Sequence, residues 1–402
     1  MKRYIAIGVI VFAAMAVFAD SEELQMYTDL YNGADTIAAR LVILRQAAEA
    51  KLPGSAEFFA RALTRLNAEY PDIKSNSERE AADASARLIC PLLGDAKYAD
   101  AGPDLWRLAD SMVTLPLSQN SSLVRADAIT ALGRVNAAAF LPQVALLLEN
   151  LNSNPPADRN LQIQHERIAY GAIIALENYR DPAGYLPVFF ASTGWYSNRI
   201  KNQASVSLPN IMDDPTEQLV TVLRGPGYGY EIKHLALRTE ERSQASNENK
   251  AAAAVAALGE GWRASTGDVH LRNELGQMRK LAISMIRRYG TQDAAVYPLL
   301  DRSYREGIDM NERLDATEAL AALGTEDAAR ILMVALQDLH TRRTRNTWGQ
   351  AEEQLIRRVI PALGDTGQAV ARPLLDMVRN SPVHTGAIQV LARDAIRKLS
   401  GQ

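Results

Sequence analysis

Cysteine is nearly absent from this chain of 402 residues, which has only Cys90. A single thiol cannot form an internal disulfide, so the chain does not belong to the disulfide-stapled class of small secreted modules. Cys90 lies in the apolar run 88–93, where we expect a buried, inert thiol rather than a nucleophile. Aromatic residues make up only 6% of the chain. The apolar content is instead rich in Ala and Leu, which favours helices because these residues have high helix propensity.

An excess of positive charge is also missing. The 44 Lys and Arg residues face 47 Asp and Glu residues, which gives a net charge of −3. Without Lys2 and Arg3, 42 basic residues remain and the net charge falls to −5. Proteins that bind duplex nucleic acid usually carry a basic stripe that replaces phosphate counterions. The composition therefore predicts no nucleic-acid partner.

Long hydrophobic runs are confined to the N-terminus. Lys2 and Arg3 precede an uncharged apolar stretch over 5–17, and Val17 and Ala19 supply small residues at positions −3 and −1 before Asp20. These three parts predict a signal peptide over 1–19 with cleavage after Ala19, and hence a periplasmic or secreted protein. The alternative is an uncleaved membrane anchor, although a run of roughly 15 residues is short of the ~20 needed to span a bilayer.

A recurring unit follows along the rest of the chain. An Ala-rich amphipathic segment ends in Leu or Tyr followed by Gly or a polar residue, and a second apolar segment comes after a short turn. The apolar positions recur at i, i+3, i+4 and i+7, which places them on one face of a helix. The turn marks, spaced 31 to 47 residues apart, are Gly94, Gly133, Arg180, Asp213, Gly259, Gly290, Gly324 and Gly364.

The ends of these helices also have recognisable signals. A Gly after Leu fits the left-handed position that closes a helix, so we expect each marked residue to end a first helix. Pro is tolerated in a first turn, where its missing N–H leaves no bond unmade. The prolines expected early in second helices are Pro142, Pro187, Pro298 and Pro373.

This pattern resembles the HEAT-repeat family, including the short helical repeats of phycobilisome-lyase-like proteins. The resemblance covers roughly residues 76–400 and lies in the pattern rather than in a diagnostic motif. It implies an all-α fold: an α-solenoid, or superhelix, of about eight irregular helix pairs. We expect residues 20–75 to form an N-terminal helical cap and residues 76–402 to form the solenoid.

Motifs that carry catalysis or bind cofactors are not found in the sequence. It contains no phosphate-binding loop, dinucleotide fingerprint or nucleophile elbow. We therefore predict no enzyme activity, no cofactor and no metal. No two histidines are spaced for one helix face, and none joins a zinc-ligand pattern. The five are His165, His234, His270, His340 and His384.

Two segments have the composition of a binding surface, because aromatic residues and Arg are enriched where proteins meet. The first holds Trp195, Tyr196 and Arg199 in a loop between repeats; alternatively, Trp195 fills the gap between neighbouring repeats. The second is the segment 340–348, also read as a loop, where the alternative is a solvated loop with Arg paired to Glu352 or Glu353. Its predicted binding residues are Arg342, Arg343, Arg345 and Trp348.

The leading functional hypothesis is an exported protein–protein interaction scaffold in the bacterial cell envelope, because a solenoid exposes a long surface for its size. Arg pairs 287–288 and 357–358 could add a basic ridge to the second segment. The alternative is an α/α-toroid carbohydrate-active enzyme, which is also built from helix pairs. Such enzymes line a cleft with Trp, Tyr and carboxylates, whereas the four Trp residues here are dispersed.

Overall fold

The structure, a computed structural model, describes residues 21–111, 119–263 and 267–400. These residues form twenty α-helices joined by short connections and 3-10 turns, and they contain no strand. The all-α prediction is confirmed. The predicted signal peptide, 1–19, lies outside the described residues.

The chain divides into two compact units, Met1–Met212 and Asp213–Gln402. The helices of the first unit are α1 (21–33), α2 (Ile37–Ala50), α3 (Ser55–Glu69), α4 (Asn76–Asp95), α5 (Gly102–Ser111), α6 (Gln119–Arg134), α7 (Leu141–Ser153), α8 (Arg159–Tyr179), α9 (Tyr185–Thr193) and α10 (Asn198–Ile211). Those of the second unit are α11 (Thr216–Arg224), α12 (Tyr230–Arg242), α13 (Asn247–Arg263), α14 (Val269–Tyr289), α15 (Val296–Glu306), α16 (Met310–Leu323), α17 (Glu326–Thr344), α18 (Gln350–Asp365), α19 (Arg372–Asn380) and α20 (Gly386–Leu399).

Each unit is a two-layer stack of helix pairs, which is the arrangement of an α-solenoid segment. In the first unit the even-numbered helices α2, α4, α6, α8 and α10 pack side by side in one layer. In the second unit α12, α14, α16, α18 and α20 do the same. The odd-numbered helices form the other layer, and most of them pack on the even-numbered helix that follows. Neighbouring helices thus bury the apolar faces that no pair could bury alone.

Three of the predicted turn marks close their helices as expected. Arg180, Gly290 and Gly324 follow α8, α14 and α16 with φ of 52°, 71° and 64°. These are left-handed values, which Gly adopts without steric strain and which other residues adopt at some cost. The four prolines expected early in second helices lie within the first three residues of α7, α9, α15 and α19, so that prediction is confirmed.

Three other marks have a different physical role from the one predicted. Gly94, Gly133 and Gly364 lie inside the last turns of α4, α6 and α18, and the left-handed residues come later. A Cβ on Gly133 would lie 2.4 Å from the Ala175 Cα of α8. These glycines therefore permit close approach of helices within the even layer rather than closing a helix.

The prediction that Gly259 ends a first helix is wrong. Gly259 lies within α13, which continues to Arg263 and belongs to the odd layer. The Leu258–Gly259 pair after an Ala-rich segment predicts a helix end here. Tertiary contacts hold the last turn of α13 in place, because Glu260 pairs with the buried Lys233 at 2.8 Å and Trp262 donates to the Ser303 hydroxyl at 3.0 Å.

Candidate functional site

The loop between α9 and α10 carries the first predicted patch, and its aromatic side chains face the protein. The indole Nε1 of Trp195 donates to the Leu151 carbonyl oxygen of α7 at 2.9 Å. Tyr196 is only 3% exposed, and its ring lies 4.2 Å from the Trp195 ring, centroid to centroid. Both rings thus fill space between adjacent helix pairs, which was the alternative role considered for Trp195.

Arg199 lies in the first turn of α10 rather than in the loop, and it is the exposed member of this patch. Its guanidinium carbon lies 5.4 Å from the centroid of the Tyr170 ring on α8, within the range of a cation–π contact. The loop itself is fixed by Glu166, whose carboxylate accepts from the backbone N–H and the hydroxyl of Ser197 at 2.6 and 2.9 Å. Burial raises the pKa of the Tyr196 phenol, so that group stays neutral.

The second predicted patch lies where α17 gives way to α18, and half of it is helical rather than loop. Arg342 and Arg343 belong to the last turn of α17, and Trp348 precedes α18. The chain remains helical to Thr344 because the backbone N–H of Arg345 still donates to the Thr341 carbonyl oxygen at 3.0 Å. We call Arg342, Arg343, Arg345 and Trp348 the connection surface.

Most of these side chains already have partners. Arg342 pairs with Asp338 at 2.9 Å and approaches Glu352 at 3.6 Å, and the Arg342 side chain is half exposed. Arg343 donates from Nε to the Val383 carbonyl oxygen at 3.0 Å and stacks over the Trp348 ring at 5.1 Å. The Trp348 Nε1 donates to Glu353 at 3.3 Å. Arg345 is exposed. An aromatic ring held between a cation and a carboxylate is a preorganised contact group.

Two histidines meet beside the connection surface, a juxtaposition that sequence analysis missed. The Nδ1 of His340, on α17, lies 3.0 Å from the Nε2 of His384, in the connection between α19 and α20. His384 is 6% exposed. Burial lowers the pKa of His384 to about 4, with further lowering by His340 and Arg343 and an opposing effect of Glu353. The two residues are 44 positions apart, which is about one repeat.

A groove on the even layer of the second unit holds part of the predicted basic ridge. It has a volume of about 450 Å³, and Ala321, Ala322 and Ala362 are among the residues that line it. Arg287 and Arg358 at its edge both pair with Glu318, Arg358 at 2.8 Å. One carboxylate therefore holds two guanidinium groups together and cancels half of their charge.

Arg279, Trp262 and Arg302 form a further cluster that sequence analysis did not single out. The Arg279 and Arg302 guanidinium carbons lie 3.9 and 4.5 Å from the Trp262 ring centroid. The Trp262 Nε1 donates to the Ser303 hydroxyl at 3.0 Å, so the indole joins α13 to α15. Arg279 is buried together with Glu312. Its contacts with neighbouring helix pairs make this cluster part of the packing.

The described residues contain no group of three or more His, Cys, Asp or Glu side chains arranged to hold a metal ion. Within the same ranges, none of the helices is both long enough and apolar enough to cross a bilayer. Cys90 is fully buried, and burial raises the pKa of its thiol. The four Trp residues lie at α5, the α9–α10 connection, α13 and the α17–α18 connection, so the described structure gives the toroid-enzyme alternative no support.

Comparisons with known proteins add little to this description. No family model and no curated protein matches the chain. Among solved structures, the chain is similar to one from a structure titled for a conserved phosphorylation switch in the interaction between cadherin and beta-catenin. That alignment covers 96% of each chain at 15% identity with a TM-score of 0.36.

Proposed function

We propose that the protein is an exported, HEAT-like helical-repeat protein that acts as a protein–protein interaction scaffold in the bacterial cell envelope. The observation that carries the proposal is the connection surface, where Arg343 and Glu353 hold the half-buried Trp348 ring in place. Binding hot spots are rich in Trp and Arg, and a ring fixed before binding loses little conformational entropy when a partner arrives.

The charges at the connection surface favour a protein segment that carries carboxylates. Arg342 and Arg345 are exposed, and the Arg342 ion pair with Asp338 is an i, i+4 pair in water. Exposed pairs of this kind contribute about 0–1 kcal/mol, so a partner carboxylate can replace Asp338 at little cost. Arg guanidinium groups can also bind a carboxylate through two parallel hydrogen bonds.

The exposed Arg199, at the start of α10 beside the Trp195 loop, is proposed as a second contact point. Trp195 and Tyr196 would then act by fixing the loop, since Tyr196 is buried and the Trp195 indole is hydrogen-bonded to the Leu151 carbonyl oxygen. Tyr170 holds the Arg199 guanidinium against α8. A partner would meet a cation that is already positioned at the surface.

The envelope location is proposed from the sequence of residues 1–19. Fractionation of cells that express the full chain, followed by N-terminal sequencing, tests it. We expect the protein in the periplasmic or secreted fraction with Asp20 as its first residue. A cytosolic protein that retains Met1 would contradict export, and a membrane fraction that retains Lys2 and Arg3 would favour the anchor.

Binding is tested with defined peptides and a matched control. Fluorescence anisotropy with a Glu- and Asp-rich peptide is compared for wild type, Arg342→Ala/Arg345→Ala, and Arg330→Ala. Arg330 is also an exposed α17 arginine with an i, i+4 partner, Glu326, and therefore controls for the loss of one exposed cation outside the connection surface. We expect the double variant to bind roughly tenfold more weakly and Arg330→Ala to bind like wild type. Equal binding by all three proteins would remove the connection surface from the proposal.

The same variants are used for affinity capture from envelope extracts, which identifies the natural partner. Anionic vesicles and an anionic polysaccharide serve as separate arms of the peptide assay. Binding to either of these, with none to the peptide, would contradict a protein partner.

A further inference from the structure

The contact between His340 and His384 has the geometry of a direct hydrogen bond between two imidazole rings. The nitrogens are 3.0 Å apart and the ring centroids 5.2 Å apart, so the two rings point at each other nearly along a line. A metal ion would need both lone pairs to converge on a third point, about 2.0–2.1 Å from each nitrogen. Here each nitrogen faces the other, so the pair shares a proton instead.

A hydrogen bond of this kind limits how many protons the pair can hold. One ring must accept, so one of the two facing nitrogens must lack a proton. Protonation of both rings would leave no acceptor between them and would place two cations 3.0 Å apart. The charged groups that face His384 are His340 and Arg343 on α17 and Glu353 on α18. Arg343 adds to the repulsion, and Glu353 alone opposes it.

Two further side-chain hydrogen bonds join the His384 segment, 381–385, to α17 and to the start of α20. The Val383 carbonyl oxygen accepts from Arg343 at 3.0 Å, and the Ser381 carbonyl oxygen accepts from the Gln389 side chain at 3.0 Å. The histidine contact and the Arg343 bond therefore connect this segment to α17. Losing the first would remove one of the two side-chain hydrogen bonds that join this segment to α17.

We propose that the His340–His384 contact is a pH-dependent latch. At neutral pH it holds segment 381–385 on α17 and keeps Arg343 bound to Val383; acidification opens it and frees Arg343 for a carboxylate-bearing partner. This inference rests on the proposed function, because Arg343 belongs to the connection surface. The pH that the latch senses would be that outside the cytosol if the chain is exported as proposed.

Hydrogen exchange tests the latch without any partner. Protection factors of segment 381–385 are measured at pH 7.5 and 5.5 in the full chain, with α8 as an internal reference. His384 is neutral while the latch is closed and has its ordinary pKa once it is released. Opening should therefore become easier at pH 5.5, with a roughly tenfold loss of protection. The reference helix should keep its protection factor. Unchanged protection in segment 381–385 would overturn the latch.

Two conservative variants separate titration from packing. His340→Asn and His384→Gln place amide groups near the ring nitrogens they replace, so they can keep a hydrogen bond but cannot gain a proton in this range. Circular dichroism confirms that each variant folds. We expect protection of the segment to become independent of pH in His384→Gln, whereas His340→Asn should keep part of the pH dependence because burial still lowers the pKa of His384. A His384→Gln protein that still loses protection like wild type would show that another group titrates and would overturn the latch.

Peptide binding at the two pH values then tests the link to function. Wild type should bind the acidic peptide several-fold more tightly at pH 5.5 than at 7.5, and His384→Gln should show no such gain. A latch that opens while the peptide binds none of the proteins would contradict the proposed function and the role of Arg343 but not the latch. Peptide binding that is equal at both pH values, with normal opening, would contradict the coupling.

Discussion

Arg279 on α14 and Glu312 on α16 form a bidentate ion pair in the interior of the second unit. Arg279 donates from Nε and Nη2 to the two Glu312 oxygens at 2.6 and 3.0 Å, and the side chains are 5% and 0% exposed. Arg279 also donates to the Gly261 carbonyl oxygen at 2.9 Å. Three helices, α13, α14 and α16, are therefore joined by one guanidinium group.

Removing one partner of this pair should be more harmful than removing both. Glu312→Leu leaves a buried cation without its partner, and we expect it to lower the free energy of unfolding by about 3–5 kcal/mol. The double variant Arg279→Leu/Glu312→Leu should lose less than either single variant, because no charge is left buried. Urea denaturation of all four proteins gives the coupling energy, and additive losses would contradict this explanation.

Asp83 should make the first unit less stable as the pH rises. Burial raises the pKa of this carboxyl to about 6, and the Tyr70 hydroxyl donates to it. A raised pKa means that the folded state favours the protonated form, so stability is fully present below the unfolded-state pKa and lost as the pH rises through about 6. The loss amounts to about 2–3 kcal/mol.

Asp83→Asn should remove this dependence. The amide oxygen can still accept from Tyr70, and the side chain carries no charge at any pH. We expect the variant to exceed wild type in thermal stability at pH 8 and to match it near pH 4. A variant less stable than wild type at pH 8 would show that the charged carboxylate is the favourable form.

Gly133 and Gly259 should respond oppositely to the same substitution. Gly133→Ala would push a Cβ to 2.4 Å from the Ala175 Cα and 2.7 Å from its carbonyl oxygen, so α6 and α8 would have to separate. We expect a loss of about 2–4 kcal/mol, by analogy with overpacked cores. Gly259→Ala meets nothing nearer than a Leu299 methyl at 3.9 Å and should gain up to about 1 kcal/mol of helix propensity. Melting temperatures of the two variants are the measurement.

Cys90 provides a probe of opening in the first unit. Its side chain is fully buried in α4 and burial raises the pKa of its thiol, so the native protein should not react with a thiol reagent at pH 8. The reaction rate should instead follow unfolding, and Asp83→Asn should slow it at pH 8. Rapid stoichiometric labelling of the native chain would contradict the packing of α4.

The sequence was sufficient to predict the helices and several of their ends, because both depend on local residues. Arg180, Gly290 and Gly324 each lie directly after an apolar helix, and their left-handed backbones were predictable from that position. Gly133 has the same local sequence signal but acts through Ala175, a residue 42 positions away. Composition alone cannot separate a glycine that closes a helix from one that lets two helices approach.

The candidate site was less predictable for the same reason. His340 and His384 are 44 residues apart and Arg343 and Val383 are 40 apart, so neither contact has a local signature. Trp195 and Leu151 are likewise 44 apart. These sequence separations fall within the predicted repeat length. Aligning the sequence with itself at that offset would have brought the two histidines together as candidates.

Helix α20 packs closely on α18 and shields an apolar face of α18 from water. A Cβ on Gly364 would lie 2.8 Å from the Ala395 Cα, and Ala392, Ala395 and Ile396 are buried. A chain truncated before Gly386 would expose the apolar face of α18 to water. Two truncated molecules could then pair through these flat faces of small side chains. Loss of α20 should therefore cause the protein to self-associate.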